Sequence, residues 1–420
     1  MNVQPSIVGK AGTGAVLSLD AIGLQDTYLT DKEGETLFQF KPVRHTHNTK
    51  FHTSRPIGNP GNQTGWPFGQ TIRFKMNPRT MGDILANMHL KIDAPPSANY
   101  CTSQLGWAMI DSLEFRIDSQ VIETIQGDWN ILHAEFHYTQ EEQRAIKEMV
   151  QGPSLYIPLH FFFCRSHGTF KPYFLTCAAY GNREVTVSVT FKPATFFTSD
   201  GQCTLDAVTL VTEEYVVTPE ERAFLKMNPQ AQTISFVTNN PTTTASATAG
   251  PFSINLTPTI PVSVLYWFLR DTQYENATDP TYYNERYNFS NNLYSPEDES
   301  AFPVVSETQF YLNGRQVLGV SKSSSNSRLD GSNYFKFTQP LDHGLTTPKK
   351  NAYMYSFSLR PKESAPSGAV NFSQLSSDTT KLSGTFYNGV TGTYSVNVFY
   401  AGYHQLTYAN GYVSLTFAGT

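Results

Sequence analysis

The sequence is short of charge, of cysteine and of long hydrophobic runs, and each shortage closes off a class of function. Charged residues make up 15% of the 420, and 30 Lys and Arg against 35 Asp and Glu leave a net charge of −5. A surface of that balance has no chain-wide attraction to phosphate, so direct nucleic-acid binding is not expected. The four cysteines, Cys101, Cys164, Cys177 and Cys203, are irregularly spaced without a C-x-x-C pair, which argues against a disulfide framework or structural zinc and for reduced thiols. No apolar stretch approaches the ~18–20 residues a membrane-crossing helix needs. The start of the chain lacks the basic and apolar segments of a signal peptide. A P-loop and a G-x-S-x-G elbow are also missing; Gly9 to Gly14 lacks the Walker spacing and reads as part of a Gly/Ala/Ser/Thr-rich arm over residues 1–20.

What is present is aromatic and turn-rich. Aromatics reach 13%, and Tyr, Phe, Thr, Ser, Asn, Gly and Pro dominate, which favours strands over helices and an all-β class. Period-two alternation marks strands at Ile72, Phe74 and Met76, at Leu90 and Ile92, at Leu113, Phe115 and Ile117, and from Val185 to Phe191. Leu155 to Cys164 reads as one strand buried on both faces, with Pro158 demanding an edge or bulge. Tyr353, Tyr355, Phe357 and Leu359 alternate as a half-buried strand, and Pro361 to Gly368 turns the chain before Val370 and Phe372 resume. Capping-box patterns at Thr139–Glu142 and Thr218–Glu221 predict helices to about Val150 and Met227, and Ser295–Asp298 adds a capped half-turn. The low-complexity run from Thr238 to Gly250 reads as a loop or mobile insertion.

The two halves repeat. Phe115 to Ile122 aligns with Phe310 to Leu318 at an offset of 195 residues, with Asn313-Gly314 the strongest hairpin signal in the chain. Val185 to Phe191 is matched to Tyr394 to Tyr400, so two similar β domains in tandem account for the length. The expected division is an arm at 1–20, a first domain at 21–218, a linker helix at 219–227 and a second domain at 228–420.

Candidate chemistry is sparse. His133 and His137 share a helical face, but Glu135 does not follow the first histidine as in H-E-x-x-H, so a metal is not expected. His160, Cys164 and His167 cluster in sequence with Arg165 among them, and alternation sets His167 opposite the other two. Lys41, Arg44, His45, His47 and Lys50 read as a strand edge blunted by positive charge rather than an anion site. Tyr266-Trp267-Phe268 fits a core better than a sugar platform. Five Asn-x-Ser/Thr sequons, at Asn62, Asn255, Asn276, Asn288 and Asn371, are of the number that Ser/Thr-rich composition generates by chance. No catalytic, cofactor-binding or metal-binding residue is assigned, and no cofactor is expected.

An ordered series of pieces carries a family resemblance. Phe40-Lys-Pro-Val-Arg-His-Thr, Met81-Gly-Asp-Ile-Leu-Ala-Asn-Met-His-Leu, Gly127-Asp-Trp-Asn, Leu155-Tyr-Ile-Pro-Leu-His-Phe-Phe-Phe-Cys-Arg, the Tyr353 to Ser373 stretch and Tyr408-Ala-Asn together resemble the double jelly-roll major capsid proteins of nucleocytoplasmic large DNA viruses. The chain departs from the family pattern in interposing His47 and Thr49-Lys50 after Arg-His-Thr, and in running ten residues past Asn410. The resemblance implies two eight-stranded antiparallel jelly rolls side by side with a few short helices. It implies a structural, non-enzymatic protein: a homotrimer of pseudo-hexagonal outline, tiling an icosahedral shell and meeting neighbouring capsomers, minor capsid and penton proteins and an internal membrane. Location in the virion, after assembly in the host cytoplasm, follows from the same resemblance. From the residues alone, a carbohydrate-binding or carbohydrate-active β-sandwich remains the alternative.

Overall fold

The computed structural model describes residues 23–24, 48–56, 66–93, 104–151, 154–165, 172–193, 196, 204–205, 207–275, 286–290, 303–320, 334–363 and 365–417. The strands are β1 (Asn48–Pro56), β2 (Thr71–Met76), β3 (Ile84–Asp93), β4 (Ile110–Ile117), β5 (Gln120–Gln126), β6 (Ser154–Pro158), β7 (Val185–Phe191) and β8 (Ala207–Val217) in the first half. The second half has β9 (Gln230–Asn239), β10 (Phe252–Asn255), β11 (Pro261–Asp271), β12 (Val305–Leu312), β13 (Arg315–Val320), β14 (Ala352–Ser356), β15 (Lys381–Phe386) and β16 (Thr393–Ala409). Helices α1 (Asp128–His137) and α2 (Gln140–Gln151) stand between β5 and β6, and α3 (Pro219–Met227) between β8 and β9.

Pairing makes the repeat explicit. The first half forms sheets in the orders β1-β8-β3-β6 and β2-β7-β4-β5; the second forms β9-β16-β11-β14 and β10-β15-β12-β13, the same orders with eight added to each strand. Short strands at Thr243–Ser246, Val370–Asn371 and Tyr412–Leu415 enlarge the β16 sheet to seven strands.

The hairpins repeat in detail. A bulge falls between Phe115 and Arg116 in one and between Phe310 and Tyr311 in the other. Asp118 (φ 50°) and Asn313 (φ 47°) take left-handed turns, which Asp and Asn tolerate best among side-chain-bearing residues. Each then clasps the chain entering the next strand: Asp118 accepts from the Arg183 and Glu184 N–H groups, Asn313 from that of Ser376. Val187 lies opposite Phe115 and Leu382 opposite Phe310, so the counterpart of β7 is β15 at the same offset. This corrects the match to Tyr394–Tyr400, which belongs to β16, the counterpart of β8. Valine alternation alone cannot distinguish two strands of one roll.

Two hydrophobic cores follow from this arrangement. The β9-β16-β11-β14 sheet lies between them. Along β11, Leu265, Trp267 and Leu269 enter the second roll's own core while Val264, Tyr266 and Phe268 enter the core shared with the first roll. Every β11 residue except Asp271 is therefore buried. Strand β14 does the same, with Tyr353 on one side and Met354 on the other. The half-buried pattern expected here is corrected: Tyr355 and Phe357 do pack with Tyr353's core, but the opposite face is covered as well. Leu359, past the strand end, is 50% exposed.

Local chemistry sets the element ends. In α2 the capping box is reciprocal, Thr139 N donating to Glu142 Oε2 (2.7 Å) and Glu142 N to Thr139 Oγ1 (3.3 Å). In α3 the Glu221 N–H donates to Thr218 Oγ1 (3.3 Å), with Pro219 at the first position. Pro158 ends β6, an edge strand, and Leu159 to Phe163 continue as a buried turn rather than as strand. The run from Thr238 to Gly250 is built into the fold, because β16 outreaches β9 and offers Thr393–Val396 as a pairing edge for Thr243–Ser246. The arm, residues 41–47, His167, Cys101, Cys203, Asn62, Asn276 and Ser295–Asp298 lie outside the described residues.

Trp267→Ala and Phe268→Ala should each cost about 3–5 kcal/mol. They should do so differently: in thermal melts followed by limited proteolysis, Trp267→Ala loosens the second roll first, whereas Phe268→Ala exposes cleavage sites in both halves together.

Candidate functional site

Among the described residues, one group of buried polar side chains lies along the seam between the rolls. Aromatic rings form its floor: Trp129 packs edge-on to Tyr266 (5.3 Å between centroids) and against Phe399 (5.9 Å), Phe136 against Tyr266 (5.2 Å), and Phe174 against Tyr408 (6.1 Å). The first partner in each pair comes from the first roll.

Three clasps cross this floor. Glu123 on β5 and Arg165 form a buried ion pair at 2.6 Å. The carboxylate also accepts from Val237 N (3.1 Å) and Phe162 N (2.9 Å), and the guanidinium donates to the carbonyls of Ser235 (2.5 Å) and His160 (2.8 Å). Ser235 and Val237 belong to β9, an edge strand, so the pair takes the place of a further strand and satisfies its outward backbone groups. In the second clasp Arg270 of β11 bridges Asp128 of α1 (3.0 Å) and Glu275 (2.9 Å). Burial opposes the charge on Asp128, but Arg270, with Lys192 and Arg286 nearby, outweighs it and holds the carboxyl at about 2. In the third, Glu135 accepts from the N–H groups of Lys349 (2.8 Å) and Lys350 (3.3 Å), and Thr346 N donates to Phe136 O (2.8 Å).

Of the histidines singled out in the sequence, His133, His137 and His160 meet at this seam. His133 stacks on His137 at 4.6 Å and on His160 at 4.2 Å. His137 Nε2 meets the Tyr266 hydroxyl at 2.9 Å, while His160 lies between Asn130 Oδ1 (2.8 Å) and the Tyr138 hydroxyl (2.9 Å). Glu135 points away from them, to Lys349 and Lys350. Among the described residues no three His, Cys, Asp or Glu side chains are grouped to hold a metal. Burial pushes the Cys164 thiol up to about 12 and the Cys177 thiol up to about 11, so neither supplies a thiolate at neutral pH. Lys50 and His52, on edge strand β1, approach Glu213 at 3.5 and 3.6 Å. Asn371 is wholly buried, its Oδ1 accepting from Ser373 N, whereas Asn255 is exposed.

Sequence reasoning missed Glu123, Arg165, Asp128 and Arg270. Glu123 left one trace, a carboxylate in phase with buried Ile125 on β5; the others lie far apart in the chain and meet only through the fold.

The paired strand orders and their repetition define a double jelly roll. A family profile for the major capsid protein N-terminus matches residues 40–244, and one for the large eukaryotic DNA virus major capsid protein matches residues 221–407. The chain belongs to the major capsid proteins of the nucleocytoplasmic large DNA viruses and is a structural component of the virion shell. It is 24% identical to the major capsid protein of Pyramimonas orientalis virus over 96% of this chain and 99% of that one. It is 21% identical to that of Phaeocystis pouchetii virus over the same shares. Its fold is similar to the capsid chain in the quasi-atomic model of the PBCV-1 capsid (TM-score 0.71, 18% identity, 91% and 100% covered) and to the Faustovirus major capsid protein (0.68, 11%, 95% and 97%).

Two outcomes test the seam. Glu123→Gln, which leaves Arg165 buried without its counter-charge, should cost about 3–5 kcal/mol in denaturant unfolding. Asp128 has its carboxyl lowered from 3.8, so its contribution of about 2–3 kcal/mol is complete above pH 4 and lost as pH falls towards 2. Asp128→Asn should lower stability at pH 7 and flatten the acid limb of a Tm-against-pH curve.

Proposed function

We propose that three copies of this chain associate into a capsomer of pseudo-hexagonal outline that tiles an icosahedral shell. The carrying observation is the repeat: two rolls of one strand order, joined by a buried seam, let three chains present six similar units around one axis. The protein acts as a building block and not as an enzyme. Its partners are neighbouring capsomers, minor capsid and penton proteins and an internal membrane, and it assembles in the host cytoplasm. The chain divides into an arm at 1–20, a first roll at 21–218, the linker helix at 219–227 and a second roll at 228–420, the arm ordering against neighbours.

Exposed apolar side chains support an assembling surface. Helix α3 buries none of its residues, and it presents Phe224 (61% exposed) and Met227 (81%) to the outside. The carbohydrate alternative loses its platform, because Tyr266, Trp267 and Phe268 are all buried within the two cores.

Sedimentation of the purified protein should give a mass of three chains, with hexagonal outlines in negative stain. A monomer at every concentration overturns the proposal. Phe224→Glu with Met227→Glu should change the stability of the isolated chain by less than about 0.5 kcal/mol, as exposed substitutions do, while reducing ordered arrays.

A further inference from the structure

Between β13 and β14 the chain makes one π-helical turn, Tyr334–Thr338, and that turn carries Lys336 into the interior. Lys336 is 5% exposed, and Asn351, the residue before β14, is 2% exposed. Phe335 beside it packs on Trp267 (5.1 Å between centroids), and the Lys336 amine stands 5.3 Å from the centre of the Phe337 ring. A buried ammonium is costly unless a carboxylate meets it. Here the acceptors of Nζ are neutral: Asn351 Oδ1 at 2.8 Å and Lys349 O at 3.4 Å.

Three features set this pair apart from an ordinary hydrogen bond. Burial favours the uncharged amine and, against the opposing pull of Glu135, brings Lys336 down from 10.5 to about 8. About a tenth of the amine is then an unprotonated nucleophile at pH 7. The amide nitrogen of Asn351 is buried with no acceptor among the described residues, so no hydrogen bond resists its departure. Glu135, from α1 of the first roll, accepts from the N–H groups of Lys349 and Lys350, which fixes a carboxylate beside the backbone that leads into Asn351.

We propose that Lys336 and Asn351 condense into an intrachain isopeptide bond. The lone pair of neutral Nζ attacks Cγ of Asn351, which lies one C=O bond beyond Oδ1; rotation about the broad last torsion of the amide turns its face to the amine. The Nζ–Cγ bond forms and the Cγ–Nδ2 bond breaks. Nζ gives up a proton to the Glu135 carboxylate, which hands it to Nδ2, and that nitrogen leaves as ammonia. Atoms and charge balance without any co-reactant, and Glu135 is regenerated. The acid–base group comes from the first roll and the reacting pair from the second, so the bond forms once the two have docked. It then locks the chain between β13 and β14 at the seam.

Intact-mass and tryptic-peptide mass spectrometry of the full-length protein test the proposal. The expected native mass is below that of the sequence by one ammonia, about 17 Da, with one branched peptide joining Lys336 to Asn351. Lys336→Arg and Asn351→Ala should each lack both the loss and the branched peptide. In protein sampled during cell-free synthesis, bond formation should speed up as pH rises through about 8, and Glu135→Gln should slow it about a hundredfold or more. Thermal melts confirm that the variants fold. A native protein without the ammonia loss overturns the proposal. So does a loss without the branched peptide, which is ring closure at an asparagine alone, or a folded Glu135→Gln that cross-links at the native rate. These readouts do not depend on whether the protein forms trimers.

Discussion

The burial of one sheet on both of its faces is the constraint on which the rest of the structure depends. Antiparallel sheets commonly leave one face in water, and their strands then alternate apolar with polar residues. The β9-β16-β11-β14 sheet cannot do this, because its outer face is the wall against which the first roll's α1, Phe162 and Phe174 are packed. The consequence is written into β11, whose run from Pro261 to Arg270 is buried throughout, and into β16, whose Val398 and Phe399 serve different cores. Two rolls sharing a wall in this way form one mechanical unit.

Apolar packing alone would leave the angle between the rolls loosely specified, since hydrophobic contact is non-directional. The polar clasps supply direction. Glu123 and Arg165 recognise the edge of β9 through its backbone, so they fix position without dependence on the Ser235 or Val237 side chains. Arg270 ties the far end of β11 to the first residue of α1 through Asp128. Such buried pairs contribute little net stability compared with apolar replacements, while disrupting one partner alone is strongly destabilising. Their role here is to hold one geometry, which a tile repeated across a shell requires.

The sequence was most legible where structure is local. The caps at Thr139 and Thr218, the Asn313-Gly314 turn and the alternation in β2 and β4 depend on neighbouring residues, and all are present as read; β7 is a strand as read, but Thr186 and Ser188 on its other face are buried as well. The offset of 195 residues found in the hairpins extends to β7 and β15, although the matching of Val185–Phe191 to Tyr394–Tyr400 had the wrong strand, because composition is similar across strands of one roll. Illegible features depend on long-range placement. The second buried face of Tyr353 to Ser356, the ordering of Thr243–Ser246 against an overlong β16, and the meeting of Asp128 with Arg270 each require knowing what lies beside the strand. His133 and His137 were rightly placed on one helical face, but their stacking with His160 could be seen only once β6 and the turn after it were in place.

Hydrogen–deuterium exchange on the full chain, followed peptide by peptide in mild denaturant, tests the shared wall most directly. If the sheet joins the rolls, amides of β11 and β16 should lose protection in the same cooperative step as those of α1 and β4, at a free energy close to that of global unfolding. Loss of protection in the second roll while the first stays fully protected would contradict the account, for it would mean that the two rolls stand independently and merely touch.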